Sequence, residues 1–197
     1  MTKAELARKR MDDAGMRRTE MVTPVACRLS YPHLFEMTSY KGGKPSYSAV
    51  VVMKKGSINH ELAMQCVEAA KERGITKVAD WGGRIPKKLW SPLRDGDVDR
   101  EGDPVYEDAI FVNAKNYNRQ PELLNLDGDT IYNSDDLYPG CYCKFQLEFY
   151  AYSEGIACTL VGVQFDHDGE QLGSVSTSPK KAFGAFDDDD EWEDDDI

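Results

Sequence analysis

Aromatic and basic side chains alternate in two segments of the sequence that have the period-two pattern of exposed strand faces. The first set is Tyr142, Lys144, Tyr150 and Tyr152, and the second is Phe111, Lys115, Tyr117 and Arg119. Such faces suit single-stranded nucleic acid, because cations contact phosphates while rings stack on bases, each stack contributing roughly 1–3 kcal/mol whatever the base. Tyrosines are also common on solvent-facing sheets, so both interpretations remain open.

Two further clusters could extend a nucleic-acid contact. Lys54 and Lys55 follow a β-branched run, and Lys87, Lys88 and Trp90 lie in a segment rich in Gly and Pro. We predict that these residues assist DNA binding through phosphate contacts and stacking. A packed cap on the body explains the segment from Trp81 to Trp90 equally well.

Carboxylates are the candidates for metal-dependent chemistry, and they fall in two loops: Asp95, Asp97, Asp127 and Asp129. The first loop begins like a calcium site, but Arg100 stands where that site needs Gly and Tyr106 where it needs Glu. Solvated turns explain both loops. A magnesium-dependent nuclease remains the alternative.

The five cysteines are odd in number and lack a repeating spacing, which predicts a reduced, intracellular setting. In a strand Cys141 and Cys143 would both point inward, which favours core packing over half of a metal site. None of the three histidines accompanies a Ser or Cys nucleophile motif. We therefore predict no catalytic residue, no metal site and no cofactor.

The last eleven residues, Asp187–Ile197, contain nine carboxylates together with Trp192 and Ile197. Like charges at this density predict a disordered interaction tail. The residues predicted to bind a partner are Trp192, Asp194, Asp195, Asp196 and Ile197. A merely solubilising tail is the alternative, although it would gain nothing from exposing an indole. We also expect the carboxylates to compete with DNA for a basic groove.

The net charge of −11 mostly reports this tail, because the rest of the chain has 26 acidic and 24 basic residues. The acidic balance therefore does not exclude nucleic acid as a partner. No apolar run approaches the length of a membrane-spanning helix, which predicts a soluble protein with no membrane partner.

Period-two segments predict strands, and one segment predicts a helix that begins at Ser57 or Asn59 and ends before Gly74. The predicted strands are 25–31, 47–53, 110–118, 141–152 and 156–165. Strands with a single helix between them predict an all-β barrel, mainly β with one helix and long loops.

Several of these segments resemble a family of bacteriophage single-stranded DNA-binding proteins long classed as a domain of unknown function. They are 138–145, 149–152, 161–165 and 168–173, with 111–115 and the strand at 25–31. The resemblance implies an OB-fold, a sequence-independent grip on single-stranded DNA in replication, recombination or repair, and no enzymatic activity. It also implies action in the cytoplasm of the infected bacterial host, with replication or recombination proteins as tail partners.

The expected organisation is a basic flexible arm over 1–21, an OB-fold domain over 22–175, and a linker with acidic interaction tail over 176–197. The tail lacks the terminal Pro-Phe usual in bacterial relatives, which favours a phage-encoded partner as much as a host one. Besides the nuclease, an acidic protein-interaction module that mimics DNA remains an alternative.

Overall fold

The computed structural model describes residues 1–173 as a mostly β structure with few helices. The eight strands are β1 (Glu20–Val22), β2 (Cys27–Thr38), β3 (Ser46–Lys54), β4 (Leu93–Asp95), β5 (Ala109–Asn116), β6 (Glu122–Leu124), β7 (Tyr142–Tyr152) and β8 (Gly155–His167). The α-helices are α1 (Lys3–Asp13), α2 (Ile58–Lys77) and α3 (Gly96–Asp99). Short 3₁₀ turns lie at Ala79–Trp81 and Ser134–Asp136.

Five strands form a ring in the order β2, β3, β5, β8 and β7, and β7 pairs back to β2. All these pairings are antiparallel except that of β5 with β8, which is parallel. The ring closes unevenly, because β5 and β8 are joined only at Lys115 and Thr159. The segment 90–95 spans the remaining gap: Trp90 bridges to Gly155 at the start of β8, and β4 pairs with β5.

The inward faces of the ring form the main hydrophobic core, to which α2 contributes Leu62, Cys66 and Ala70. The alternation predicted for 141–152 is confirmed, since Cys143, Phe145, Leu147 and Phe149 are buried in β7 while the residues between them are partly exposed. The five cysteines are all buried and unpaired. Cys141 and Cys143 therefore pack in the core, as the sequence pattern predicted.

The predicted end of α2 at Gly74 is wrong, because the helix continues to Lys77. Gly74 is buried, and a Cβ atom there would lie 2.3 Å from the Trp81 ring and 2.7 Å from the Ala151 side chain. The glycine is needed for this close approach rather than for a left-handed helix end. The backbone N–H of Val78 then donates to the Gly74 carbonyl and closes the last turn.

The segment expected to be a flexible arm contains α1, which packs against α2. A capping box explains its start, since Thr2 accepts from the Glu5 N–H and Glu5 accepts from the Thr2 N–H. Arg8 is buried, and its Nη1 donates to the Glu20 carbonyl at 2.8 Å. This contact anchors the helix against β1, and sequence periodicity does not reveal it.

The first predicted strand is shifted relative to the observed one. Alternation over 25–31 predicts that Val25, Cys27, Leu29 and Tyr31 share one face. Cys27 and Leu29 do point inward, but Val25 and Tyr31 are exposed. Tyr31 adopts a positive φ of 44°, and the pairing of β2 with β3 shifts register between Ser30 and His33. This irregularity turns Tyr31 away from the face that alternation assigns to it.

Candidate nucleic-acid interface

Five of the residues predicted to bind DNA line one open cavity of about 550 Å³ beside the gap between β5 and β8. They are Trp90, Lys115, Tyr117, Tyr150 and Tyr152, and we call this cavity the aromatic groove. They come from three separate stretches of chain: the segment before β4, the end of β5 with the turn after it, and β7. The fold therefore assembles the site from residues up to 62 positions apart in sequence.

Strand β5 and the turn after it place Lys115 and Tyr117 in the groove. Val112 and Ala114 point into the core, so Lys115 points outward by alternation. The buried Asn116 fixes the turn, since its Nδ2 donates to the Leu160 carbonyl at 2.9 Å. Its Oδ1 accepts from the backbone N–H groups of residues 118 and 119, both at 3.1 Å.

The β7–β8 hairpin places Tyr150 and Tyr152, which pair with Ala157 and Gly155 across the two strands. The buried Trp81 supports this end, because its Nε1 donates to the Tyr152 carbonyl at 3.1 Å. Tyr150 is 39 % exposed. Burial of the remainder raises the pKa of Tyr150, so its ring stays neutral at physiological pH.

Trp90 is fixed through its backbone, and its side chain is left free. Its N–H donates to the Glu154 carbonyl, and its carbonyl accepts from the Ile156 N–H, both at 2.9 Å. The side chain is 65 % exposed. The segment 81–90 thus fits both interpretations in part: Trp81 is packed, whereas Trp90 is presented to solvent at the groove.

Sequence reasoning missed the contribution of the β2–β3 loop. Lys44 places its Nζ 5.4 Å from the centre of the Tyr117 ring, and Lys41 lies 5.3 Å from the exposed Tyr40 ring. Arg94 and Asn113 also line the groove. The Lys-Gly-Gly-Lys sequence predicts only a turn, although Lys44 within it is the signal that could have found this contact with Tyr117.

Tyr142 and Lys144 do not join the groove, although they lie on the same face of β7. Tyr142 is paired in register with His167, and the two rings stack at 4.6 Å with an angle of 9°. Lys144 Nζ lies 3.7 Å from an Asp166 oxygen. Both side chains are therefore engaged with their own chain at the opposite end of the hairpin.

The other predicted cations are spread over separate surfaces. Lys55 contacts Asp95 at 2.6 Å and also Asp97, and these hydrogen bonds raise the pKa of Lys55. Lys54, Lys87, Lys88 and Arg119 are exposed, and none of them lines the aromatic groove. Their assignment to the DNA path stays a prediction.

The carboxylates proposed for a nuclease lie in two different loops. Asp95 and Asp97 contact Lys55, while Asp127 and Asp129 lie in a turn whose backbone N–H groups donate to the Asn125 side chain. Within residues 1–173, no group of three or more His, Cys, Asp or Glu side chains is arranged to hold a metal ion. The structure thus does not assemble the four carboxylates into one site.

The predicted tail residues, Trp192, Asp194, Asp195, Asp196 and Ile197, lie outside the described residues. Over the part of the chain that the structure does describe, no helix is both long enough and apolar enough to cross a membrane.

The fold is that of phage single-stranded DNA-binding proteins. The chain is similar to the single-stranded DNA-binding protein from bacteriophage Enc34 in complex with ssDNA, with 23 % identity, a TM-score of 0.66, and coverage of 80 % of this chain and 91 % of that one. A C-terminal truncation of the Enc34 protein gives 22 % identity, a TM-score of 0.63, and coverage of 79 % and 90 %.

A more distant likeness is to gp2.5, a single-stranded DNA-binding protein encoded by bacteriophage T7, with 10 % identity, a TM-score of 0.52, and coverage of 81 % and 96 %. No curated protein matches. The family model described as "Enterobacter phage Enc34, ssDNA-binding protein" matches residues 19–195, and the chain belongs to this family. The resemblance stated from the sequence is thereby confirmed.

Proposed function

We propose that this protein binds single-stranded DNA in the aromatic groove and coats it during phage replication or recombination. The observation that carries the proposal is the meeting of Trp90, Tyr117, Tyr150, Tyr152 and Lys115 around one open cavity. Membership of a family of ssDNA-binding proteins supports the same ligand.

The groove offers the two kinds of contact that a base-independent binder needs. Aromatic rings stack on any base, because every base has a π-face. Lys115, together with Lys44 beside Tyr117, supplies cations for phosphates. Binding should therefore tolerate changes of sequence and weaken as salt is added.

We also propose that the five-stranded ring is an OB-fold barrel. Its strand order and its single parallel pairing, β5 with β8, support this assignment. In OB-folds the loops that follow the first and fourth barrel strands contribute to oligonucleotide binding. Here those loops join β2 to β3 and β7 to β8, and each lies beside a tyrosine of the groove.

The acidic segment 187–197 is proposed to recruit replication or recombination proteins inside the infected bacterial cell, with Trp192 and Ile197 as apolar anchors. Its carboxylates would also compete with phosphates for the cationic groove. Removing residues 187–197 should then tighten DNA binding at low salt. Equal affinity of the shortened and full-length chains would contradict the competition.

One titration tests the proposed function. Fluorescence polarisation is followed with labelled oligo-dT and with a duplex of the same length, each with and without magnesium, and the DNA is afterwards run on a gel. We expect preference for the single strand, no need for magnesium and intact DNA. Cleavage would support the nuclease instead, and absence of binding at moderate salt would contradict the proposal.

A further inference from the structure

Tyr150 lines two neighbouring cavities. One is the aromatic groove, and the other is a smaller cavity of about 250 Å³ between the end of α2 and β7. Arg73 and Lys77 of α2 line the smaller cavity together with Glu148, Tyr150 and Ala151 of β7. Tyr150 therefore joins the aromatic groove to a neighbouring depression that holds two cations of α2.

Arg73 in turn lines a third cavity, of about 740 Å³, between α2 and the segment that follows α1. Arg17 and Arg18 belong to the same cavity. Three open depressions thus follow one another, each sharing a residue with the next: Tyr150 joins the first to the second, and Arg73 joins the second to the third. We call the exposed cations Lys77, Arg73 and Arg18 the helix track.

The helix track has free positive charge. Arg73 and Lys77 lie one turn apart on α2, so both side chains project from one side of the helix. None of the three cations lies within 4.0 Å of a carboxylate in the part of the chain that is described. They are accordingly available to a ligand.

Two acidic side chains beside the path, Glu20 and Glu148, are already paired. Arg17 contacts Glu20 at 2.6 Å and Glu148 at 2.8 Å, so one guanidinium serves two carboxylates. The hydrogen bond from Arg17 holds the pKa of Glu20 below its ordinary value, which keeps that carboxylate ionised and bonded. Glu61, Glu68 and Glu72 also line the third cavity. Glu68 is paired with Lys71 at 2.6 Å, and the other two oppose phosphate binding in their part of the cavity.

We propose that a single strand longer than the aromatic groove leaves it over Tyr150 and lays its phosphates on Lys77, Arg73 and Arg18. The inference rests on the proposed function, since the groove must hold the strand before the track can receive it. Apart from Tyr150, the track offers cations rather than rings. It therefore contacts phosphates without reading bases, and it acts only on strands long enough to reach it.

The test uses the full chain with the double substitution Arg73→Ala and Lys77→Ala. The matched control, Lys3→Ala with Lys9→Ala, removes the same charge from exposed positions of α1 that lie off the track. Affinity is measured against salt for oligo-dT of about 6 and about 30 nucleotides. The first lies near the lower end of the usual site sizes of about 4–16 nucleotides per OB-fold, and the second exceeds them.

For the long strand, the slope of log affinity against log salt should fall by about 1.4, which is about 0.7 for each phosphate that the variant no longer neutralises. For the short strand, neither slope nor affinity should change. The Lys3/Lys9 control should match the wild type on both strands. Arg18→Ala added to the double variant should lower the long-strand slope by about a further 0.7.

The proposal of the helix track would be wrong if the double variant kept the wild-type slope of log affinity against log salt for the long strand. It would also be wrong if the substitutions changed binding of short and long strands equally. Because Lys77 also lies in the last turn of α2, thermal unfolding is measured for each variant to show that the folded state is retained. If the wild type binds neither strand, the proposed function itself fails. If the wild type binds both strands and the double variant binds them with the same salt slopes as the wild type, only the track fails.

Discussion

The two ends of the β7–β8 hairpin present similar residues on the same outward face. At one end their side chains are open to a ligand, and at the other they already contact neighbouring side chains. At one end Tyr150 and Tyr152 open onto the aromatic groove. At the other, Tyr142 stacks on His167 and Lys144 faces Asp166. Aromatic and basic identity therefore does not define a binding surface. What matters is whether the neighbouring strand already supplies a partner.

The reason for the difference lies in the residues that β8 places opposite each tyrosine. Strands β7 and β8 pair at both ends, but Tyr142 is paired with the ring of His167, whereas Tyr150 and Tyr152 are paired with the small residues Ala157 and Gly155. Near Tyr150, β8 is joined to β5 only through the pair Lys115 and Thr159. The rings at that end therefore have no aromatic cross-strand partner and stay open to a ligand.

The largest effect should come from Trp90→Ala. Loss of one stacked base would weaken oligo-dT binding by about 1–3 kcal/mol, or roughly 5- to 150-fold. The matched change at the closed end, Tyr142→Ala, should alter affinity less than about 2-fold, because its ring already stacks on His167. Fluorescence polarisation with labelled oligo-dT measures both.

Equal losses of oligo-dT affinity in Trp90→Ala and Tyr142→Ala would contradict the difference between the two ends, since the closed end would then also bind DNA. Thermal unfolding of both variants is the control for folding. Trp90 is mostly exposed, so its removal should leave the unfolding midpoint nearly unchanged.

Gly155→Ala tests whether the groove depends on the backbone position of Trp90. A Cβ atom at Gly155 would lie 2.5 Å from the Trp90 carbonyl oxygen and 2.7 Å from its nitrogen. Because these are backbone atoms, the segment must shift, and we expect a loss of about 1–3 kcal/mol in the free energy of unfolding. Affinity for oligo-dT should fall as well, since Trp90 moves with its backbone.

The matched control is Gly162→Ala in the same strand. There the nearest atom to an added Cβ, the Glu122 carbonyl oxygen, lies at 3.5 Å, an ordinary contact. Chemical denaturation should show a clearly smaller loss of unfolding free energy for Gly162→Ala than for Gly155→Ala. If both variants lost similar amounts of unfolding free energy, the loss would be a general effect of replacing glycine in β8 and not an effect of the contact with Trp90.

The five longest strands and the core face of β7 were predictable because alternation reports which side of a strand is buried. It placed Phe145, Leu147 and Phe149 inward. It could not place the partners across strands, which depend on register. The sequence therefore predicted the same DNA-binding role for Tyr142 and Tyr150, although only Tyr150 faces the groove.

The packing of α1 near the amino terminus was not predictable for a related reason. The contact between Arg8 and the Glu20 carbonyl joins residues 12 positions apart and leaves no periodic trace. The position of Lys44 beside Tyr117 was missed because the approach of its loop depends on how the turn after β5 is held by Asn116. Both are tertiary contacts between polar groups, which composition does not encode.

Lys115→Ala should have a smaller effect, visible mainly in the salt dependence. Lys115 lines the groove, so loss of one phosphate contact should lower the slope of log affinity against log salt by about 0.7. Lys144→Ala is the control, because that ammonium lies at the closed end of the hairpin, 3.7 Å from an Asp166 oxygen. A similar fall in slope for Lys144→Ala would show that the strand also crosses the closed end.

The smallest effect is expected for Tyr150→Phe, which separates stacking from hydrogen bonding at the open end. Stacking needs only the ring, so affinity for oligo-dT should stay within about 2-fold of the wild type. A loss of 10-fold or more would show that the hydroxyl group contacts DNA and that the site reads polar groups. Comparison of the wild type with the same variant at different pH values also tests the protonation state of the Tyr150 ring.

Burial raises the pKa of Tyr150 above its ordinary value, so the folded protein holds this proton more tightly than the unfolded chain does. The neutral ring does not repel phosphates, and binding by the wild type and by Tyr150→Phe should follow the same course between pH 7 and about 9. As pH rises past about 10, the unfolded chain loses the proton first, so the wild type should lose unfolding free energy relative to the Phe variant. Denaturation at pH 8 and pH 10.5 measures this difference, and its absence would place Tyr150 in a more solvated position than the groove gives it.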